Sequence, residues 1–410
     1  MTDWRRLTGR QNMAVLRMLL LLLGCAMAMA ARAGSPAVPA PAGDASPELD
    51  RAVHALCAKH VVLLGEDGSH AGATTIALKA QLVKRLVQEC GFAGVVFESQ
   101  FYDMLDFEQS VTAGSASQQQ LADGIGVLWS HYAAFVPLEH WLFTKAQAGR
   151  VHVAGMDPQV GGITGHYSSN QLPAVLSSVL AGERRKQCDA LIGRHNRWEY
   201  DDAHPFDSAA LQSLRGCLRD IREKLGMTGV RPASTLSAMV NSYANYLDFA
   251  EQDPHGLRDH AMYQNFEWLR AHWPTGTRIV VWCASVHAAK TLDGVKPGSR
   301  PLGSYMREAF GDRAAAIGFS ALGGSYGHVG GRGAPRALGA AAPGSLESQA
   351  FAAAGPQRLR FLDHAQLQSM GQVSARALEY GQPDTVDWSR VLDGIIVLRE
   401  ETAATAMPEP

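Results

Sequence analysis

Several polar side chains of this chain sit just past apolar runs, and their types suit acid–base chemistry. Glu66 and His70 follow the run at residues 61–64, and Glu98 follows the run at 93–97. Asp157 follows 151–155, and Ser285 and His287 follow 278–283. A histidine beside carboxylates is the usual make-up of a general base, since its pKa lies near neutrality and a carboxylate fixes its tautomer. Two histidines with two carboxylates also suit zinc or iron. Neither an H-E-x-x-H nor a C-x-x-C pair accompanies them. Gly323-Gly324-Ser325-Tyr326-Gly327 matches G-x-S-x-G, but a Gly-rich stretch follows it, whereas a nucleophile elbow needs a helix behind the serine. His195-Asn196-Arg197-Trp198-Glu199-Tyr200 is a polar and aromatic knot that could line a cleft or simply lie on a helix surface.

Positioning these groups together requires strands that all run one way. Val61-Val62-Leu63-Leu64 is a continuous apolar run, which suits a strand covered on both faces of a parallel sheet. Leu78, Leu82, Val83, Leu86 and Val87 recur at helical spacing over 74–89, with Lys79, Lys84, Arg85 and Gln88 between them. Strand, helix and strand within residues 61–97 make a βαβ unit. Further strands are expected at 151–155, 278–283, 314–319, 358–362 and 394–398. In an open α/β fold of this kind the polar strand ends lie along one carboxyl edge, the usual place for a site. Residues 170–273 read as a helical insertion or cap over that edge, and Gly/Ala-rich residues 321–350 as a long mobile loop. The tail from Glu401 is expected to fray. The fold class is therefore α/β, a mostly parallel sheet flanked by helices, in one domain over 49–410.

Hydrophobic residues make up 46% of the 410 and charged residues 19%, which supports a globular core. A net charge of −2 with no basic run in the mature region argues against nucleic acid or an anionic membrane surface as the main partner. Arg5, Arg6, Arg10 and Arg17 precede an apolar run at 18–31, and Ala31-Arg32-Ala33 offers a cleavage site. Residues 1–33 thus read as a signal peptide and 34–48 as an Ala/Pro-rich linker. Leu22-Leu23-Gly24-Cys25 also resembles a lipobox, which would lipidate Cys25 and make a lipid anchor the membrane link. Both readings export the protein, to the periplasm or to the envelope as a lipoprotein. Cysteines fit an oxidising compartment. Cys57 and Cys90 precede the first two strands, which as neighbours would bring them together for a bridge, and Cys188 and Cys217 lie in neighbouring helical stretches.

On these residues the chain resembles the erythromycin esterase family. Leu64-Gly65-Glu66, His70, Gly91-Phe92 and Phe97-Glu98 follow the order of its opening Leu-Gly-Glu-x-x-His-Gly, helix and Phe-Glu strand end. Gly155-Met156-Asp157, Arg258-Asp259 with Met262 and Asn265, and Trp282 with His287 resemble later motifs. Leu302-Gly303, residues 316–319, Asp393-Gly394 and Glu401-Thr402 add weaker ones. The resemblance implies a hydrolase without metal or cofactor, with helical additions over a deep cleft. Characterised members open the lactone ester of macrolides by attack of water. Carried onto this chain, it makes His70 the base, with Glu66 and Glu98 orienting water or imidazole. His287 would support the site or a developing oxyanion. Arg258, Asp157, Lys79 and Ser285 are the matching positions expected around a small-molecule ester or lactone. The chain departs from the family at several points: one extra residue between Glu66 and His70, Thr74 in place of a Glu, Lys79 in place of an Arg, and Ala284-Ser285 in place of His-Asn. The fold also resembles haem-binding lipoproteins and metal-dependent proteases, so an envelope haem- or metal-binding protein is the alternative.

Overall fold

The computed structural model of the chain describes residues 46–160, 166–226, 234–251, 256–331, 333–353 and 355–407. The signal segment with Cys25, and most of the linker, lie outside these residues. Among the described residues no helix is long and apolar enough to cross a membrane.

The strands are β1 Val61–Glu66, β2 Gly94–Gln100, β3 His152–Asp157, β4 Ile279–Ala284, β5 Ala314–Ala321, β6 Gly324–Tyr326, β7 Arg336–Leu338, β8 Leu359–Asp363, β9 Gln372–Ala375, β10 Asp384–Asp387 and β11 Gly394–Leu398. Seven of them form one sheet in the order β3-β2-β4-β1-β5-β11-β8. All its pairings are parallel except β11 with the edge strand β8. Every residue of β1, β2, β4 and β5 is buried, as strands covered on both faces require.

The two faces divide the side chains by alternation. Val62, Leu64, Val95, Phe97, Val280 and Trp282 pack with the helices Pro47–Leu56 and Ala73–Cys90. Val61, Leu63, Val96, Met156, Val281 and Cys283 pack against the helical block that runs from His166 to His272. The last helix of that block, Leu257–His272, brings Arg258 over the carboxyl ends of β2 and β3.

Three sequence expectations need correction. β1 and β2 are not neighbours, because β4 enters between them and pairs with both. Cys57 and Cys90 are nonetheless bonded, Cα to Cα 4.9 Å, and Arg278 at the foot of β4 donates to both their carbonyls. Cys188 and Cys217 join the helices Gly182–Asn196 and Ser208–Lys224. The Gly/Ala-rich segment is not one open loop. It carries the β6–β7 hairpin, and Gly324, at φ +116°, lies against the backbone of Glu401 where a Cβ would collide. The tail does not fray at Glu401, which is fully buried. Ala403 and Ala406 make bridges to Gly72 and Tyr132.

Candidate active site

β1 delivers Glu66 opposite Ala284 of β4, buried at 2% exposure. Its Oε1 accepts from His70 Nδ1 at 2.9 Å and from Trp129 Nε1 at 2.5 Å, and its Oε2 accepts from Lys79 Nζ at 2.7 Å. Burial pushes this carboxyl up, but the Lys79 charge and the His70 and Lys79 hydrogen bonds outweigh it and hold it below its ordinary value. Lys79 is itself fully buried. It lies 4.2 Å from the centre of the Trp282 ring and donates to Cys283 O at 3.3 Å. Burial brings its pKa down against the pull of Glu66.

The extra residue in the turn after β1 is absorbed locally. His70 N–H closes the turn onto Asp67 O at 2.9 Å, and His70 takes φ +55°. That left-handed backbone costs a non-glycine residue roughly 1–3 kcal/mol. It swings the ring back, so Nδ1 meets Glu66 despite the longer spacing, while Trp129 stands edge-on at 5.2 Å. With Nδ1–H donated to a carboxylate, Nε2 makes no hydrogen bond to any described residue.

A second cluster lies at the ends of β2, β3 and β4. Glu98 Oε2 accepts the Ala284 N–H at 2.9 Å, and its Oε1 accepts from Arg258 Nη2 at 2.9 Å and His287 Nε2 at 3.1 Å. Burial pushes Glu98 up, but His287 and Arg258, with His70 contributing, hold it well below the usual carboxylate range. His287 Nδ1 meets Asp259 Oδ1 at 2.7 Å. Burial lowers the imidazole's pKa, but Asp259 and Glu98 raise it further, to about 10, so near neutral pH the ring is an imidazolium. Both its nitrogens then donate to carboxylates. The 3.0 Å approach of Arg258 Nη1 to Nε2 is therefore a contact between two donors, brought together as Arg258 Nη2 and His287 Nε2 converge on Glu98 Oε1, and not a hydrogen bond. Arg258 also grips Asp157 through Nη2 at 2.5 Å and Nε at 3.4 Å.

His70 with Glu66 and Lys79 thus forms one group, and Glu98, His287, Arg258 and Asp157 a second. Ser285 joins neither. It is fully buried, its Oγ has no hydrogen-bond partner among the described residues, and it packs where a Cβ on Gly65 would fall. Ser325 lies in β6 with its Oγ accepting from Ala403 N–H, not on a strand-to-helix elbow. Among the described residues no three His, Cys, Asp or Glu side chains are grouped to hold a metal. The donor sets explain this, since the His287 nitrogens and both Glu66 oxygens are already committed.

Three contributors escaped the sequence reading. Trp129, from the turn that follows the helix Gln118–Ile125, donates to Glu66. Asp259 stands beside Arg258 in the quoted motif but carried no assigned role. Glu401, quoted only as a weak match and expected to begin a frayed tail, lies more than three hundred residues from Thr74 and Thr75. Its Oε1 accepts the backbone N–H groups of Thr74 at 2.9 Å and Thr75 at 3.3 Å. Its Oε2 accepts from Thr75 Oγ1 and from Tyr380 OH at 2.8 Å. It occupies the space beside Gly72, where a Cβ would lie 2.6 Å from Oε2.

Solved structures share this fold. A Bacillus cereus protein aligns at TM-score 0.66 and 17% identity, covering 88% of this chain and 93% of its own. A succinoglycan biosynthesis protein aligns at 0.66 and 14%, covering 88% and 93%. A histidine variant of the erythromycin esterase EreC, in its open conformation, aligns at 0.63 and 15%, covering 87% and 94%. No curated protein sequence matches. The erythromycin esterase family model matches residues 87–400, well over half of the chain, starting after the Glu66–His70 turn. The chain belongs to the erythromycin esterase family.

Proposed function

We propose that the protein is an exported hydrolase that cleaves an ester or lactone with water activated by His70, without a metal. Family membership supports hydrolase chemistry in general. The observation that carries the finer reading is the His70 ring, with Nδ1 bound to Glu66 at 2.9 Å and Nε2 free. Water bound at Nε2 gives up its proton as it attacks the carbonyl carbon. The negative charge that develops on the carbonyl oxygen falls to the cationic group beside it, of which Arg258, with 26% of its side chain exposed, is the open member. His70 then returns the proton to the leaving alkoxide. His287 stays protonated throughout, so it supplies charge and holds Glu98, and it is not a second base.

The test is a panel of simple esters, lactones and macrolides, assayed with chelator present. His70→Ala should lower kcat by roughly 10²–10⁴, the worth of a positioned general base. Full activity in that variant would remove the base assignment, and loss of wild-type activity on chelation would remove the metal-free mechanism. Mass spectrometry of the mature N-terminus from fractionated cells tests export: a start after Ala33 or a lipidated Cys25 supports it, and an intact Met1 opposes it.

A further inference from the structure

The helical block holds a cleft of about 510 Å³ whose lining shares no residue with the two ionisable groups described above. That size suits a small organic molecule. The cleft lies between the helices Ser208–Lys224 and Thr235–Glu251. Its floor is apolar, with Leu218 and Leu247 buried beneath it and Ala244 beside them. Its rim is cationic. Arg215, Arg219 and Arg222 recur at four- and three-residue spacing, which sets them on one face of their helix.

Two of these charges are unanswered. Arg215 pairs with Asp248 at 2.9 Å, and nearby Arg184 pairs with Asp220 at 2.7 Å. Arg219 and Arg222 make no hydrogen bond or ion pair with any described residue. Glu223, one turn on from Arg219 and also at the cleft, pairs with neither. Arg219 folds back over Gly216, its Nη2 3.7 Å from where a Cβ would lie, and Arg184 Nη2 stands 3.6 Å from the same point. Arg219 thus meets a second cation there, not a carboxylate. Helix stability does not call for this arrangement. Like charges three and four residues apart oppose a helix. Lys224 already places a cation in the last turn, where the helix dipole is negative.

We propose that the cleft binds a phosphate monoester carried on an apolar group. A carboxylate brings a single negative charge, whereas a phosphate monoester brings nearly two at neutral pH, which answers both Arg219 and Arg222. The planar guanidinium fork matches phosphate oxygens in pairs. The apolar part of the ligand covers Leu218, Ala244 and Leu247, which inorganic phosphate leaves bare. Free organic phosphates and phosphatidic acid share this head group. The site does not depend on the hydrolase reading.

The experiment titrates the full-length protein by calorimetry with 1-naphthyl phosphate, 1-naphthoate and inorganic phosphate. The first should bind about tenfold or more tightly than the other two, a factor of ten for each 1.4 kcal/mol. Arg219→Gln combined with Arg222→Gln should weaken its binding about tenfold or more, and Arg219→Lys should keep part of it. Arg185→Gln removes an exposed charge of the neighbouring helix and should bind as wild type does. All variants should melt with the wild type, and hydrolysis of any ester the wild type accepts should be unchanged. Sedimentation with phosphatidylcholine vesicles, with and without phosphatidic acid, separates the sources. Capture by phosphatidic acid that the double variant loses assigns a lipid head group. Binding of 1-naphthyl phosphate without capture assigns a soluble phosphate. The inference is overturned if 1-naphthyl phosphate fails to bind or binds no better than 1-naphthoate or inorganic phosphate. It is equally overturned if the double variant binds normally, or if Arg185→Gln loses as much as the double variant does.

Discussion

Lys79 is the residue on which the Glu66–His70 pair depends for its charge. Fully buried and 2.7 Å from Glu66, it is the ammonium that keeps a buried carboxylate ionised beside an imidazole. Removing one partner of a buried pair leaves the other uncompensated, which costs about 3–5 kcal/mol. Lys79→Met should lower stability by that order in urea denaturation, and adding Glu66→Gln should restore part of the loss. No recovery in the double variant would mean that packing, not the pair, is what Lys79 supplies. His287 makes a prediction in pH. Its folded pKa of about 10 lies above the ordinary histidine value of about 6.5, so the folded state holds the proton more tightly. The stabilisation is complete below about pH 6.5 and is lost as pH rises through about 10. Wild-type stability should therefore fall between these limits, and His287→Gln should flatten that slope, as read from denaturation midpoints across pH. His287 was legible as a candidate because it follows an apolar run, and Lys79 only through the family resemblance, since periodicity alone set it between the apolar positions of its helix. That His287 is cationic was not legible, since Asp259 approaches it only through the folded helix Leu257–His272.

At the scale of the element, the helix Ala73–Cys90 begins with no capping side chain of its own and no acidic residue in its first turn. Glu401 supplies both from the far end of the chain, accepting the Thr74 and Thr75 N–H groups where the helix dipole is positive. Residues 402–404 fasten the same point, with Ala73 N–H to Thr402 O at 2.7 Å and Ala404 N–H to Ala71 O at 2.8 Å. The strained backbone of His70 is thus held from its carboxyl side by the C-terminal segment. Glu401→Gln keeps the volume but loses the charge and part of the acceptor capacity. It should cost about 1–2 kcal/mol, within the range of a lost helix cap. If His70 is the base proposed above, kcat should fall more than KM rises, because His70 is the group that is loosened. An unchanged kcat with reduced stability would leave Glu401 a cap and nothing more. The sequence showed the helix and its apolar face plainly, since these depend on local periodicity. It showed no cap, because a carboxylate acting across such a separation leaves no pattern near the helix it serves.

At the scale of the whole molecule, the parallel sheet gives the protein two chemically different ends. The carboxyl ends of β1 to β4 gather the ionisable groups, and the amino ends gather Cys57, Cys90 and Arg278. The sequence conveyed this polarity through its apolar runs and their polar ends. It did not convey the strand order, because the insertion of β4 between β1 and β2 is fixed by pairing between segments about two hundred residues apart. The polarity predicts that stability and activity separate at the amino end. The Cys57–Cys90 bond closes a loop of 33 residues that contains β1, the His70 turn and the helix behind it, yet it lies at the edge opposite Glu66. Constraint of the unfolded chain by such a loop is worth roughly 2–4 kcal/mol. Cys57→Ser with Cys90→Ser should therefore lower the denaturation midpoint by that order while leaving kcat and KM near wild type at temperatures where the variant is folded. A large fall in kcat with the fold intact would instead show that the bond tensions the strand and turn that carry His70.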